Sequence, residues 1–131
     1  MGMYAVCSEV VDGNRIGRTL DFPTINQQFG EKQLVPKRGV YSTVTLIDNK
    51  TYNSITNIGV KPTVEKDIKP LAETHILDFS GNLYGKEIEV RFNKFIRDEK
   101  KFSSLDELKI QIKKDIEYVR QQSEMSELHR L

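Results

Sequence analysis

Apolar and polar residues alternate with a period of two in several stretches of the chain, and near residue 104 the period becomes helical. The clearest stretch is Gly39 to Ile47. Val40, Ser42, Val44 and Leu46 fall on one face, and Tyr41, Thr43, Thr45 and Ile47 on the other. Met3 to Val11, rich in Val and without a helical stripe, predicts a strand before it. Asp48-Asn49 reads as a turn, and Lys50 to Asn57 as the returning partner. Glu73 to Phe79 reads as another strand, turned at Ser80-Gly81-Asn82. Leu83 to Ile96 follows, bulged at Gly85, with Ile88, Val90 and Phe92 on one face and Glu87, Glu89 and Arg91 on the other.

Ser104-Leu105-Asp106-Glu107 then has the form of a capping box, and Leu105, Leu108, Ile112, Ile116 and Val119 recur at helical spacing. The segments between these elements read as connections. They are Gly13 to Asn26, the polar Gln27 to Arg38, the Gly- and Pro-containing Asn57 to Thr63, and the charged Val64 to Leu71. Gln121 to Leu131 is a tail that either extends the helix or frays. The pattern predicts an all-β domain with one helix: about six antiparallel strands, with a C-terminal α-helix packed outside by its Leu and Ile face. Closure into a small barrel is favoured over an open sheet because it removes exposed edges.

Composition narrows the class. The 131 residues suit one domain (1–131, with a core of about 4–119). The chain is 37% hydrophobic and 30% charged, ordinary for a globular protein. A net charge of +1 argues against a nucleic-acid binder, which carries a basic excess. The single cysteine, Cys7, permits no internal disulfide and suits a reducing, cytoplasmic setting. No apolar run reaches the roughly 18 residues of a membrane span, and no signal-type segment is present.

The candidate chemistry begins at Gly13 to Asn26. Gly13 and Gly17 with Arg15 and Arg18 form a loop composition that brings backbone amides and positive charge to an anion. It is not a Walker loop: three residues separate the glycines, Arg18 stands where Lys is required, and Pro23 soon forbids a helix. Thr24 and Asn26 alternate across Ile25 and so share one side of an extended segment. Neutral oxygens of this kind hold Mg²⁺ when phosphates supply the negative charge, although a turn satisfied by its own Thr and Asn side chains is the commoner use.

Glu73 and His75 share one face of their strand, and Leu77 and Phe79 extend it, which predicts a carboxylate at the rim of an apolar interior. A carboxylate so placed can act as a general base, while a surface Glu opening a strand is the more frequent outcome. His75 reads as a satisfied core histidine. Phe22, Phe29, Phe95 and Phe102 are either core or a platform for a flat ligand.

Five ordered stretches then carry a family resemblance. The first is Gly13 to Asn26, with Gly17-Arg18-Thr19-Leu20 leading into Phe22-Pro23-Thr24-Ile25-Asn26. The second and third are Gly39-Val40-Tyr41 and Asn57-Ile58-Gly59-Val60-Lys61-Pro62-Thr63. Glu73-Thr74-His75-Ile76-Leu77-Asp78-Phe79 is the fourth, and Leu83-Tyr84-Gly85 with Ile96-Arg97-Asp98-Glu99-Lys100-Lys101-Phe102 the last. Together they resemble the kinase module of the bacterial riboflavin kinase/FAD synthetase family from about Tyr4 to Val119. The sequence departs from that pattern at Asp21, where Gly is usual, and at Ile25, Lys61 and Asp12.

The resemblance implies a six-stranded Greek-key barrel that transfers the γ-phosphate of ATP to the 5′-hydroxyl of riboflavin, giving FMN and ADP. It implies Mg²⁺ held by Thr24 and Asn26, and nucleotide phosphates met by Gly17, Arg18, Thr24, Asn26 and Asn57. It further implies Glu73 as the base, and a flavin bordered by Arg97, Leu105 and Leu108. Bifunctional members carry an N-terminal FAD synthetase domain, so a longer parent chain is one expectation and a stand-alone kinase the other. Two other functions remain beside this one: a flavin-binding module without turnover, and a small barrel that binds oligonucleotides. The balanced charge disfavours the second.

Overall fold

The computed structural model describes residues 4–11, 23–30, 33–62 and 68–129. Among the described residues six strands and one helix follow in order: β1 Tyr4–Val11, β2 Ile25–Gln28, β3 Gly39–Ile47, β4 Lys50–Pro62, β5 Ile68–Ile76, β6 Glu87–Arg97 and α1 Leu105–His129. The strands close into a barrel in the order β1-β2-β5-β4-β3-β6, every pair antiparallel. β3, β4 and β5 form a meander, and β2 lies beside β5 after a long connection to β3, which is a Greek key.

Period-two patterning decides what points inward. Val6, Val10, Ile58, Ile76, Ile88, Val90 and Phe92 form the apolar interior, with Tyr41 and Ile47. The rest of the interior is polar and, among the described residues, satisfied apart from the unpartnered Oε1 of Gln27. Thr45, Ser54, Thr43, Thr56 and Thr74 form one chain of hydroxyl contacts, at 2.8, 2.6, 3.0 and 2.8 Å in turn. All five side chains are buried, so each hydroxyl depends on its neighbour for the hydrogen bonds that water cannot supply. Short Thr and Ser side chains suit these positions because facing strands of a narrow barrel stand close together.

The alternation read from the sequence holds in β3 and β6: Tyr41, Thr43, Thr45 and Ile47 face inward, as do Ile88, Val90 and Phe92. Several boundaries differ. β2 falls in a stretch that reads as connection. β4 continues through Asn57 to Pro62, because Pro at the last position costs no interior ladder bond. β5 begins at Ile68, inside a segment that carries no strand signal, and ends at Ile76, where Asp78 turns the chain with φ 58°. β6 starts only at Glu87. Residues 83–86 form a tight turn with Gly85 at φ +82°, a conformation glycine adopts without strain, closed by Lys86 N–H donating to the Leu83 carbonyl at 3.0 Å.

The helix begins where the capping box predicts and runs on to His129, so the tail extends it rather than fraying within the described residues. The Ser104 hydroxyl accepts from Glu107 N–H at 3.2 Å. The Glu107 carboxylate reaches one residue further back than a usual capping box, accepting from the Ser103 N–H and hydroxyl. These bonds hold its carboxyl below the usual carboxylate range. Val119 packs with Val40, Ile55 and Leu77, flanked by Ile96 and Ile116, so the helix covers part of the barrel's outer face.

Two ion pairs fix the helix in place. Arg120 donates twice to Asp78, each bond at 3.0 Å, and lowers the Asp78 pKa by those bonds first and by its charge second. Arg97 donates to both oxygens of the buried Asp115, at 3.2 and 2.8 Å. Gln111 adds a third bond to Asp115 at 3.0 Å.

Val119→Ala removes buried methyl groups between helix and barrel, and is expected to destabilise the fold by about 1–3 kcal/mol. Ile110→Ala, on the exposed side of the same helix, should change stability by no more than about 0.5 kcal/mol. Urea denaturation of both variants tests which face docks. Asp78 has a depressed folded pKa, so its contribution is present at neutral pH and is lost as pH falls through and below the usual carboxylate range. The gap in melting temperature between the parent and Asp78→Asn should therefore close on acidification.

Candidate active site

β5 has two faces with different fates. Ala72, Thr74 and Ile76 point into the barrel. Glu73 and His75 therefore lie on its outer face, which corrects the expectation that they lead into the core. The corrected face does continue to the buried Leu77, but Leu77 lies beneath the helix rather than inside the barrel. Phe79, beyond the turn, packs against the inner cluster through Tyr52.

The register shows what surrounds Glu73. It is the direct cross-strand partner of Asn26 on β2 and of Asn57 on β4. Directly opposed residues on antiparallel strands present their side chains on one face, with Cβ atoms about 4.5–5.5 Å apart. The row continues from Asn57 to Val40 on β3, and from Val40 to Arg97 on β6. Four candidate residues that are distant in sequence thus form one line across the outer surface: Asn26, Glu73, Asn57 and Arg97. Thr24 immediately precedes β2 beside the Asn26 end.

The two asparagines have a shared property. The Oδ1 atoms of Asn26 and Asn57 are both buried and have no hydrogen-bond partner among the described residues. An unsatisfied buried carbonyl costs about 1–3 kcal/mol, so two flanking one carboxylate are a conspicuous expense for a small domain. Both are hard, neutral oxygens. They fit a magnesium ion that takes only a few protein ligands and completes its shell with phosphate and water. Among the described residues no group of three His, Cys, Asp or Glu side chains could hold a metal without such help.

Other candidates occupy distinct positions. Gly17 and Arg18 lie outside the described residues, as do Arg15 and Phe22. Leu105 is 53% exposed at the first turn of α1 and Leu108 is half-buried, so one apolar side chain at the helix start remains open to a ligand. Arg97 itself is held by Asp115 and by the Asp98 carbonyl at 3.1 Å. Phe29 packs against the inner core, and Phe95 stacks edge-on against Tyr41 with the Lys37 ammonium over its ring.

Two residues escaped the sequence reading. Asp115 lies within the apolar stripe of the helix, and a carboxylate there demands a cationic partner; that was the available signal. Glu99 pairs with Arg38 at 2.8 Å. Its other oxygen stands 2.6 Å from where a Cβ on Gly59 would be, and the Asn57 amide nitrogen 3.7 Å from the same point. A Cβ at position 59 would thus displace the end of the Glu99 side chain, and no unusual backbone angle sets this glycine. Asn57 had a family motif behind it but no local signal of its own. Its place beside Glu73 emerges only from pairing.

Comparison with known proteins bears on the family. The chain is 43% identical over 115 residues to the bifunctional riboflavin kinase/FMN adenylyltransferase of Haemophilus influenzae, covering 87% of this chain and 37% of that protein. It is 42% identical over 113 residues to the Escherichia coli K12 protein of the same description, covering 86% and 36%. The Bacillus subtilis counterpart is 37% identical over 114 residues, with the same 86% and 36% coverage. The chain thus spans little more than a third of these relatives' length. Among solved structures, a macrolide-efflux protein from Streptococcus pneumoniae superposes with a TM-score of 0.81 at 33% identity, covering 88% of this chain and 38% of that one. A family model described as flavokinase, riboflavin kinase, matches residues 2–123, and the chain belongs to the riboflavin kinase family.

Proposed function

We propose that this chain transfers the γ-phosphoryl group of ATP to the 5′-hydroxyl of riboflavin, releasing ADP and FMN. The observation that carries this reading is the row in which Glu73 stands between Asn26 and Asn57, each with a buried, unpartnered carboxamide oxygen. Phosphoryl transfer asks little covalent chemistry of a protein. It needs two oxygens placed in line and the developing charge compensated. Rigid strands supply the placement, because backbone pairing on both sides fixes the spacing of the three side chains.

In this proposal Glu73 accepts the proton of the ribityl hydroxyl as that oxygen bonds to phosphorus and the bond to the ADP oxygen breaks. Asn26 Oδ1 and the Thr24 hydroxyl would hold Mg²⁺, which offsets the polyphosphate charge. Asn57 keeps the nucleotide phosphates on the Glu73 side of the row, and Gly17 and Arg18 cover them. The flavin ring lies toward Arg97, Leu105 and Leu108. Arg97 there acts from a position fixed by Asp115, so it presents an oriented edge rather than a mobile charge. A cytoplasmic location is in keeping with the exposed free Cys7 and with the absence, among the described residues, of a helix long and apolar enough to cross a membrane. The adenylyl transfer named for the longer relatives is not part of this proposal.

Flavin fluorescence with and without Mg-ATP, coupled to chromatographic detection of FMN, tests the activity. Conversion should stop at FMN, and accumulation of FAD from FMN and ATP in a clean preparation would overturn the single-step reading. Glu73→Gln keeps shape and a hydrogen-bonding carbonyl but removes the proton acceptor. Its kcat should fall by about 10²–10⁴-fold while riboflavin and Mg-ATP bind nearly as in the parent. An unchanged kcat with a raised KM would reduce Glu73 to substrate positioning.

Asn26→Asp places a negative charge where a neutral oxygen stands, and should change Mg²⁺ and nucleotide affinity together. If calorimetric titration with Mg-ATP matches the parent, the cation is held elsewhere.

A further inference from the structure

The hydrogen-bond ladder between β2 and β5 ends at the pair Ile25 and Thr74. One step further along, the ladder would join Thr24 to His75, but Pro23 has no N–H to extend it. A side chain takes over at that point. His75 Nδ1 lies 2.9 Å from the Pro23 carbonyl oxygen. A carbonyl only accepts, so the imidazole must carry its proton on Nδ1 to make this bond. The Pro23–Thr24 peptide is planar, and a fixed carbonyl therefore fixes the Thr24 amide and the direction in which Thr24 leaves it. His75 stands two residues from Glu73 on the same outer face of β5.

We propose that His75 is a positioning residue: its Nδ1–H holds the Pro23–Thr24 peptide against β5 and so sets the distance between the Thr24 hydroxyl and Glu73. This rests on the riboflavin kinase reading above, in which Thr24 meets the Mg-nucleotide and Glu73 meets the acceptor. The sequence suggested a core histidine. The structure instead gives it a half-buried place outside the barrel, tied to the peptide that leads into Thr24 just beyond the end of the ladder.

The consequence is selective. Losing the tie loosens Thr24 but leaves Glu73, Asn57 and the flavin side of the row in their strands. His75→Phe keeps a planar ring and removes the donor, whereas His75→Asn replaces Nδ1–H with an amide N–H at a similar position. In the Phe variant the KM for Mg-ATP should rise by about three- to tenfold, the range of one net hydrogen bond, with the riboflavin KM unchanged. The Asn variant should recover most of that loss. Equal rises in both KM values, or an Asn variant no better than Phe, would show that His75 only supports the fold.

Two measurements on the parent do not depend on turnover or on either variant folding. Nitrogen NMR of the His75 ring should show the proton on Nδ1, and a neutral ring protonated only on Nε2 would overturn the proposal. The Nδ1 proton itself, held by the Pro23 carbonyl, should exchange with water slowly enough to be observed directly, and a proton lost to fast exchange would also overturn it. If the parent bound no Mg-ATP, the kinase reading and the role of His75 in it would both fall. If it bound Mg-ATP without making FMN, the kinase reading would fail while the ring proton and the exchange rate still decided the tie.

Discussion

β2 is only four residues long, yet both the barrel and the candidate site depend on how it is seated. It pairs with β1 through Val10–Gln27 and Val11–Asn26, and with β5 through four consecutive pairs. Without it β1 and β5 would each present an open edge. Its register is held from inside. Gln27 is fully buried, and its amide nitrogen donates to the Ser8 carbonyl at 3.0 Å and the Ile88 carbonyl at 2.7 Å. A slip of one residue would turn Gln27 outward and Asn26 inward, because strand faces alternate at every position. The amide that locks the barrel shut is thus what aims its neighbour Asn26 at Glu73.

The outer face is divided by the same geometry. From Asn26 to Asn57 the row is polar, with the unpartnered Oδ1 atoms of the two asparagines at its ends. At Val40 it becomes apolar, and Val40 packs under the helix with Ile55, Leu77 and Val119. Arg97 ends the row and is bound to the helix through Asp115. A buried ion pair contributes little net stability when intact, because desolvation offsets most of the attraction. Breaking it by removing one partner costs about 3–5 kcal/mol. The pair therefore acts mainly to forbid other placements of the helix.

Much of the architecture was written in local pattern. The alternation in β3 and β6 gave the correct faces, and Ser104 with Glu107 marked the helix start, since each depends only on neighbours along the chain. Weak strands failed for the same reason. Ile25–Gln28 has one apolar residue in four, and Ile68–Leu71 sits beside charged residues. Both form strands because a neighbour already in the sheet supplies hydrogen-bond partners, not because their own composition demands it. The hydroxyl chain from Thr45 to Thr74 was equally invisible, as its members come from three strands and touch only after the barrel closes.

Sequence by itself determined the residue types of the site and, through five ordered motifs, the family to which they belong. It also determined that a carboxylate and a histidine share one face of a strand. It could not determine which side of the sheet that face occupies, and the continuation through Leu77 and Phe79 pointed to the wrong one. Burial alone does not separate the inside of a barrel from the outside covered by a helix, since both exclude water and both favour Leu. Tertiary structure decided this by seating Ala72, Thr74 and Ile76 inward, and with them it decided that Glu73 stands between Asn26 and Asn57. That juxtaposition is a property of register between strands far apart in the chain, and register is fixed only when all six strands have closed.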